Sequence, residues 1–209
     1  MRKYQAFVLV GVLTVVGLGA AVLGIVQSGS GVDLKQAVTN TLDASGYTEY
    51  LVENTPQGDQ TANLVFQEPD RVGGWTQSGN QRTYLFLIGS TEYVSVTQSA
   101  KDTRVPLVYY TQATSGARLA DPGRHYLSFY NQGPATTSGS VTTVTLTQDG
   151  QTQKVMYTVS GNYVSKFEAV TPGGTVVLEF SDVGSSPEVH LPAGARTTHT
   201  APGSSAPAG

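Results

Sequence analysis

The chain lacks cysteine altogether, with none among its 209 residues. This absence excludes disulfides, thiolate zinc sites and a cysteine nucleophile, and it leaves no cysteine to carry a lipid anchor. Basic residues are also few, 12 Lys and Arg against 15 Asp and Glu, and they form no stripe that would bind nucleic acid or anionic headgroups. No catalytic or metal-binding motif occurs, so we predict no enzymatic activity, no cofactor and no metal site.

What the sequence does contain is a long uncharged run near its start. Arg2 and Lys3 precede about twenty residues without a charge, 6–26. As a helix this run would span the roughly 30 Å hydrocarbon core of a bilayer, and the two cations favour a cytoplasmic N-terminus. Residues 1–27 are therefore predicted to be a single-pass membrane anchor, with the rest of the chain outside the cytoplasm. Cleavage near Ser28 is the alternative, and it would release a secreted protein.

The remaining sequence divides into three parts. Residues 28–31 are small and polar and form a short linker, and residues 32–192 form a predicted domain. The globular part of about 165 residues is long enough to bury one core. The tail, 193–209, has the composition of a segment that cannot bury apolar surface, so we expect it to be disordered.

Two helices are predicted at the points where capping residues precede a suitable pattern. The first begins after Asp33 as N-cap and ends at Gly46. Its apolar face consists of Leu34, Ala37, Val38 and Leu42. The second is a short helix over residues 121–131, where Asp121 caps and a proline follows at the first helical position.

Between and after the helices, apolar residues recur with the period of two that is typical of β-strands. The predicted strands are 48–54, 61–68, 71–77, 81–88, 91–97, 141–147, 154–160, 163–170, 175–180 and 187–191. Their short connections favour antiparallel neighbours, because parallel strands need long crossovers. The fold class is thus α+β and mainly antiparallel β, and a sheet of about ten strands is expected to curl into a curved half-barrel that the helices cap.

Within most strands the apolar residues share one parity, which gives the sheet one apolar face. We predict that this face is concave and lines a ligand-binding cavity. The predicted lining residues are Leu64, Phe66, Tyr84, Phe86, Ile88, Val144, Leu146, Val155, Tyr157, Val159, Tyr163, Phe167, Val176 and Leu178. A slip of one residue in any strand would turn its whole set to the opposite face.

One polar set has the residue types of a catalytic triad. Asp121, His125 and Ser128 share one side of the second helix. Side chains in a row along a helix do not place the base between the acid and the hydroxyl, as a triad requires. Asp121 is explained as the cap, and no catalytic residue is predicted.

Several stretches resemble the LolA/LolB-like superfamily, and most closely the LppX/LprG-type actinobacterial lipoproteins. They are PDRV at 69–72, IGSTEYVS at 88–95, GNYVSKFEAV at 161–170 and SDVG at 181–184. The resemblance implies a half-barrel of antiparallel strands around a hydrophobic cavity, which holds acyl chains or glycolipids in several relatives. The lipobox cysteine of that group is missing here, so the predicted N-terminal helix would replace the lipid anchor.

These observations lead to two hypotheses. In the first, the chain is a membrane-anchored, extracytoplasmic binding protein that holds a lipid, a glycolipid or another hydrophobic ligand without chemistry. In the second, side chains fill the interior and the domain is an interaction or sensing module for another cell-envelope protein. Neither hypothesis includes a nucleic acid partner.

Overall fold

A computed structural model describes residues 33–56, 58–67, 70–97, 99, 101, 104–113, 121–148, 151–171 and 173–198. This part of the chain contains two α-helices, one short 3₁₀ helix and twelve strands, which confirms a mainly antiparallel β fold and corrects the expected number of about ten strands. The predicted anchor and linker, 1–31, lie outside the described residues. Neither described helix has the length and hydropathy that crossing a membrane requires.

The chain forms two compact units. The first, which we call the helical unit, comprises the residues up to Asp43 and Arg118–Glu179. Its elements are α1 (Leu34–Leu42), α2 (Pro122–Leu127), the 3₁₀ helix (Ser128–Asn131), β7 (Ala135–Ser138), β8 (Val141–Gln148), β9 (Gln151–Ser160), β10 (Tyr163–Thr171) and most of β11 (Gly174–Ser181). Its strands lie in the order β11-β10-β9-β8-β7, and every neighbouring pair is antiparallel.

The second, the strand unit, comprises Ala44–Ala117 and Phe180–Gly209. Its strands are β1 (Gly46–Thr55), β2 (Gly58–Gln67), β3 (Arg71–Ser78), β4 (Gln81–Ile88), β5 (Thr91–Thr97), β6 (Val108–Ala113) and β12 (Arg196–Thr198). They lie in the order β12-β6-β5-β4-β3-β2-β1. β12 pairs with β6 in parallel, and the other neighbours are antiparallel.

The first helix begins as predicted and ends earlier. The Asp33 carboxylate accepts a hydrogen bond from the backbone N–H of Lys35 at 3.3 Å, and Asp43 is the C-cap. Gly46 does not end the helix but begins β1. A Cβ at Gly46 would collide with the carbonyl oxygen of Phe66, so close approach of two strands explains this glycine.

The C-terminal part departs most from the sequence prediction. Residues 187–191 belong to no strand, whereas β12 lies inside the tail that the composition predicts to be disordered. The Arg196 N–H donates to the Leu107 carbonyl at 2.6 Å. Backbone hydrogen bonds of this kind pair a strand with its neighbour without any apolar side chain. The composition of the tail therefore does not indicate β12.

Candidate functional site

In the helical unit, the cross-strand register brings much of the predicted lining set onto one sheet face. Directly opposite residues of an antiparallel pair share a face, and here Val144 faces Val155, and Phe167 faces both Tyr157 and Leu178. The buried predicted residues on this face are Val144, Leu146, Val155, Tyr157, Phe167, Val176 and Leu178. Val159 follows the same parity and is half-buried.

Helices cover this face and fill it with aromatic rings. The Tyr126 ring of α2 stacks on Phe167 at 5.3 Å, and Tyr157 meets Phe167 edge-on at 5.2 Å. The Tyr157 hydroxyl donates to the Tyr126 carbonyl at 3.2 Å, and burial raises the pKa of Tyr157. The face is therefore the packed core of the helical unit, and contact of its residues with a ligand stays a prediction.

Tyr163 does not share this face, which corrects its place in the predicted lining set. The register of β10 on β9 shifts between Val164 and Lys166, as at a β-bulge, where one extra residue changes the parity of the strand. Val164 is consequently fully buried, while Tyr163 is 37% exposed. The buried Thr41 hydroxyl of α1 accepts from the Val164 N–H at 2.9 Å.

In the strand unit, the predicted residues divide between two faces. Across β2, β3 and β4, Leu64, Gly74 and Leu85 lie opposite one another and share a face. Tyr84 lies opposite Trp75, on the other face. Leu64 and Phe66 therefore share one face, and Tyr84, Phe86 and Ile88 occupy the other. The prediction of a single apolar face is wrong for this unit. The pairing of Ser78 with Gln81 sets the register of β4, and β4 carries large apolar residues on both of its faces.

We name the two faces after one residue each. The Leu64 face consists of Tyr47, Glu49, Leu51, Glu53, Ala62, Leu64, Phe66, Val72, Leu85 and Leu87, all buried. The Tyr84 face includes Gly73, Tyr84, Phe86, Ser95 and Tyr109.

The Tyr84 face is covered by the chain itself. Val189 lies in the segment between β11 and β12. Its N–H donates to the Gln67 side chain at 3.2 Å, and its carbonyl accepts from the Arg71 guanidinium at 3.0 Å. A Cβ at Gly73 would come within 2.9 Å of the Val189 side chain, so glycine admits this close approach. The segment predicted as the strand 187–191 thus acts as a cover.

Tyr109 is the polar group inside the Tyr84 face. Its ring meets Phe86 edge-on at 5.6 Å, and its hydroxyl, which is buried, has no hydrogen-bond partner in the structure as described. Burial, together with the neighbouring Tyr84, raises the pKa of Tyr109 to about 12. The hydroxyl is therefore buried in its neutral form.

The Leu64 face carries two buried carboxyl groups that sequence reasoning missed. Glu49 and Glu53 of β1 are only 1% and 2% exposed, and burial raises the pKa of Glu53. Glu53 lies opposite Gln60, at the end of the face where the strands lead into exposed turns. The sequence signal that could have indicated their burial is the parity that both glutamates share with Tyr47 and Leu51.

The candidate triad does not assemble. The Asp121 carboxylate accepts from the Arg124 N–H at 2.9 Å, which is its predicted capping role. The Ser128 hydroxyl donates to the backbone carbonyl of His125 at 2.6 Å rather than to the imidazole.

Two solved structures are similar to this chain, and the first of them shares its fold. LprF from Mycobacterium bovis is 12% identical, with a TM-score of 0.53 over 78% of this chain and 95% of that one. The Mycobacterium tuberculosis lipoprotein LppX is 10% identical, with a TM-score of 0.44 over 75% of this chain and 96% of that one. No protein-family model matches the sequence, and no curated protein is significantly similar to it. At 12% identity the likeness to LprF concerns the fold alone, and at the level of the fold it confirms the predicted resemblance to proteins of the LppX/LprG type.

Proposed function

We propose that this chain is an extracytoplasmic protein, anchored by residues 1–27, that binds a lipid or another hydrophobic molecule without chemistry. The observation that carries the proposal is the division of the strand unit into two apolar faces. Its own C-terminal segment covers the Tyr84 face, whereas the Leu64 face combines apolar side chains with two buried carboxyl groups, of which Glu53 lies at one end. We assign the ligand to the Leu64 face, with Leu64 and Phe66 of the predicted lining set among its contacts.

The apolar part of this face is suited to an acyl chain. Removing a few hundred Å² of apolar surface from water favours binding by roughly 5 to 10 kcal/mol before ordering costs, at about 25 cal/mol per Å². Leu51, Leu64 and Leu85 lie in the interior of their strands on this face and would contact the acyl chain.

The carboxyl group of Glu53 is suited to the polar end of the same ligand. A buried carboxyl group is disfavoured unless a hydrogen bond or an opposite charge compensates it. Glu53 is 2% exposed and lies beside Gln60 at the end of the face, so a ligand whose chain lies over Leu64 would bring its polar group there. The proposed ligand is therefore an amphiphile.

The test is to extract the full chain from its native membrane and identify bound lipid by native mass spectrometry. Two variants on adjacent residues locate the site, since Leu64→Phe adds bulk to the Leu64 face and Val65→Phe adds it to the opposite face. We expect lipid in the wild type and in Val65→Phe, and clearly reduced occupancy in Leu64→Phe, with thermal melting to confirm that both variants fold. Extraction without any lipid, or equal occupancy in both folded variants, would contradict the proposal.

A second candidate function is a ligand-free interaction module for another envelope protein. The packing of the helical unit favours it, because Phe167 and Tyr157 of the predicted lining set contact Tyr126 instead of open space. Proximity labelling of the anchored chain that repeatedly recovers one envelope protein, together with lipid-free extraction, would favour this function over lipid binding.

A further inference from the structure

Exposed apolar side chains are concentrated in one short stretch of the strand unit. Val105, Leu107 and Val108 are 46%, 52% and 47% exposed. They are three of the six large hydrophobic residues that are exposed in the described part of the chain. Surface apolar residues that cluster in this way mark interaction sites, whereas scattered ones do not.

Tertiary structure brings cations to the same place. Arg196 of β12 lies directly opposite Val108 in the parallel pair, and its N–H donates to the Leu107 carbonyl. Lys101 and Arg104, both exposed, precede the apolar residues in the chain, with Asp102 as the one acidic residue between them. Lysine and arginine beside exposed apolar groups are typical of surfaces that lie in the headgroup region of a bilayer.

We propose that this patch, formed by residues 104–108 and Arg196, docks the strand unit onto an anionic membrane surface. The charges favour a membrane, because the patch is cationic while the chain as a whole carries a net charge of -3. The proposed anchor favours it too, since a chain held by residues 1–27 stays at a bilayer surface.

The absence of cysteine makes the test direct. The full chain is reconstituted in vesicles of phosphatidylcholine alone, or with about a quarter phosphatidylglycerol to supply anionic charge. Leu107→Cys carries an environment-sensitive nitrobenzoxadiazole label at the patch. Ser138→Cys, at the exposed end of β7, carries the same label as the matched control. Fluorescence lifetimes separate aqueous from lipid-inserted label.

We expect a lipid-inserted population at position 107 in the anionic vesicles, a smaller one in phosphatidylcholine, and none at position 138. Adding Arg196→Gln to Leu107→Cys should lower the ratio of inserted to aqueous label about fivefold, as loss of one cation near an anionic surface predicts. Aqueous lifetimes at position 107 in both vesicles would overturn the proposal, as would equal lifetimes at both positions. Lipid occupancy by native mass spectrometry should not respond to Arg196→Gln, so failure of this proposal is distinguishable from failure of ligand binding.

Discussion

The contact between Thr41 and the bulge of β10 yields a sharp stability prediction. Thr41 is fully buried, and its hydroxyl donates to the Ala37 carbonyl and accepts from the Val164 N–H, both at 2.9 Å. Thr41→Val keeps the shape of the side chain and removes both bonds. The Val164 N–H would then be buried without this acceptor.

The expected loss follows from these contacts. A buried donor left without a partner destabilises a fold by about 1–3 kcal/mol, and the added methyl group offsets up to about 0.8 kcal/mol. We therefore expect Thr41→Val to lower the free energy of unfolding by about 1–2 kcal/mol. For a chain of this size, each kcal/mol corresponds to about 2–4 °C in melting temperature.

The assay is urea unfolding, with hydrogen exchange of the Val164 amide as a local readout. Thr39→Val is the matched control, because Thr39 is exposed on the same helix and the substitution changes helix propensity equally. Thr41→Ser, which keeps the hydroxyl, should retain slow exchange of that amide. Equal stability of the Thr41→Val and Thr39→Val variants would refute the assigned role of this hydroxyl.

Three further predictions concern the strand unit. Tyr109→Phe should preserve or raise stability by up to about 1 kcal/mol, since the hydroxyl has no partner among the described residues; a clear loss in thermal melting would contradict this. Glu53 has a raised pKa in the fold, so the stability it contributes is fully present below its usual pKa of 4.5 and is lost as pH rises through the higher folded value. In urea unfolding, the free energy of unfolding of Glu53→Gln should therefore rise relative to that of the wild type as the pH approaches neutrality. A difference in stability that does not change with pH would count against burial of the carboxyl group. Gly73→Ala should destabilise by about 1–3 kcal/mol, and Val189→Ala in the same chain should recover part of that loss if Val189 packs against Gly73.

The local elements were predictable because their signals are local. Asp33 and Asp121 cap helices as the sequence indicates, and β4 and β5 have the predicted bounds. Alternation and turn residues act within a few positions, so one sequence contains all the information that they need.

The candidate site was less predictable because it depends on register and on distant pairing. Parity alone placed Leu64 and Tyr84 on one face, but the register across β3 places them on opposite faces. The bulge in β10 similarly moved Tyr163 outward, since one extra residue reverses a strand's alternation.

By itself, the sequence determined the class of fold: a mainly antiparallel β-sheet with two capped helices and a resemblance to the LppX/LprG-type lipoproteins. The tertiary structure decided which side chains meet. It buried Glu53 on an apolar face, covered the other face with the segment around Val189, and placed Arg196 beside Leu107. Local patterns fix secondary structure because their interactions span few residues, whereas these contacts join residues far apart in the chain and form only when strands pair in a particular register.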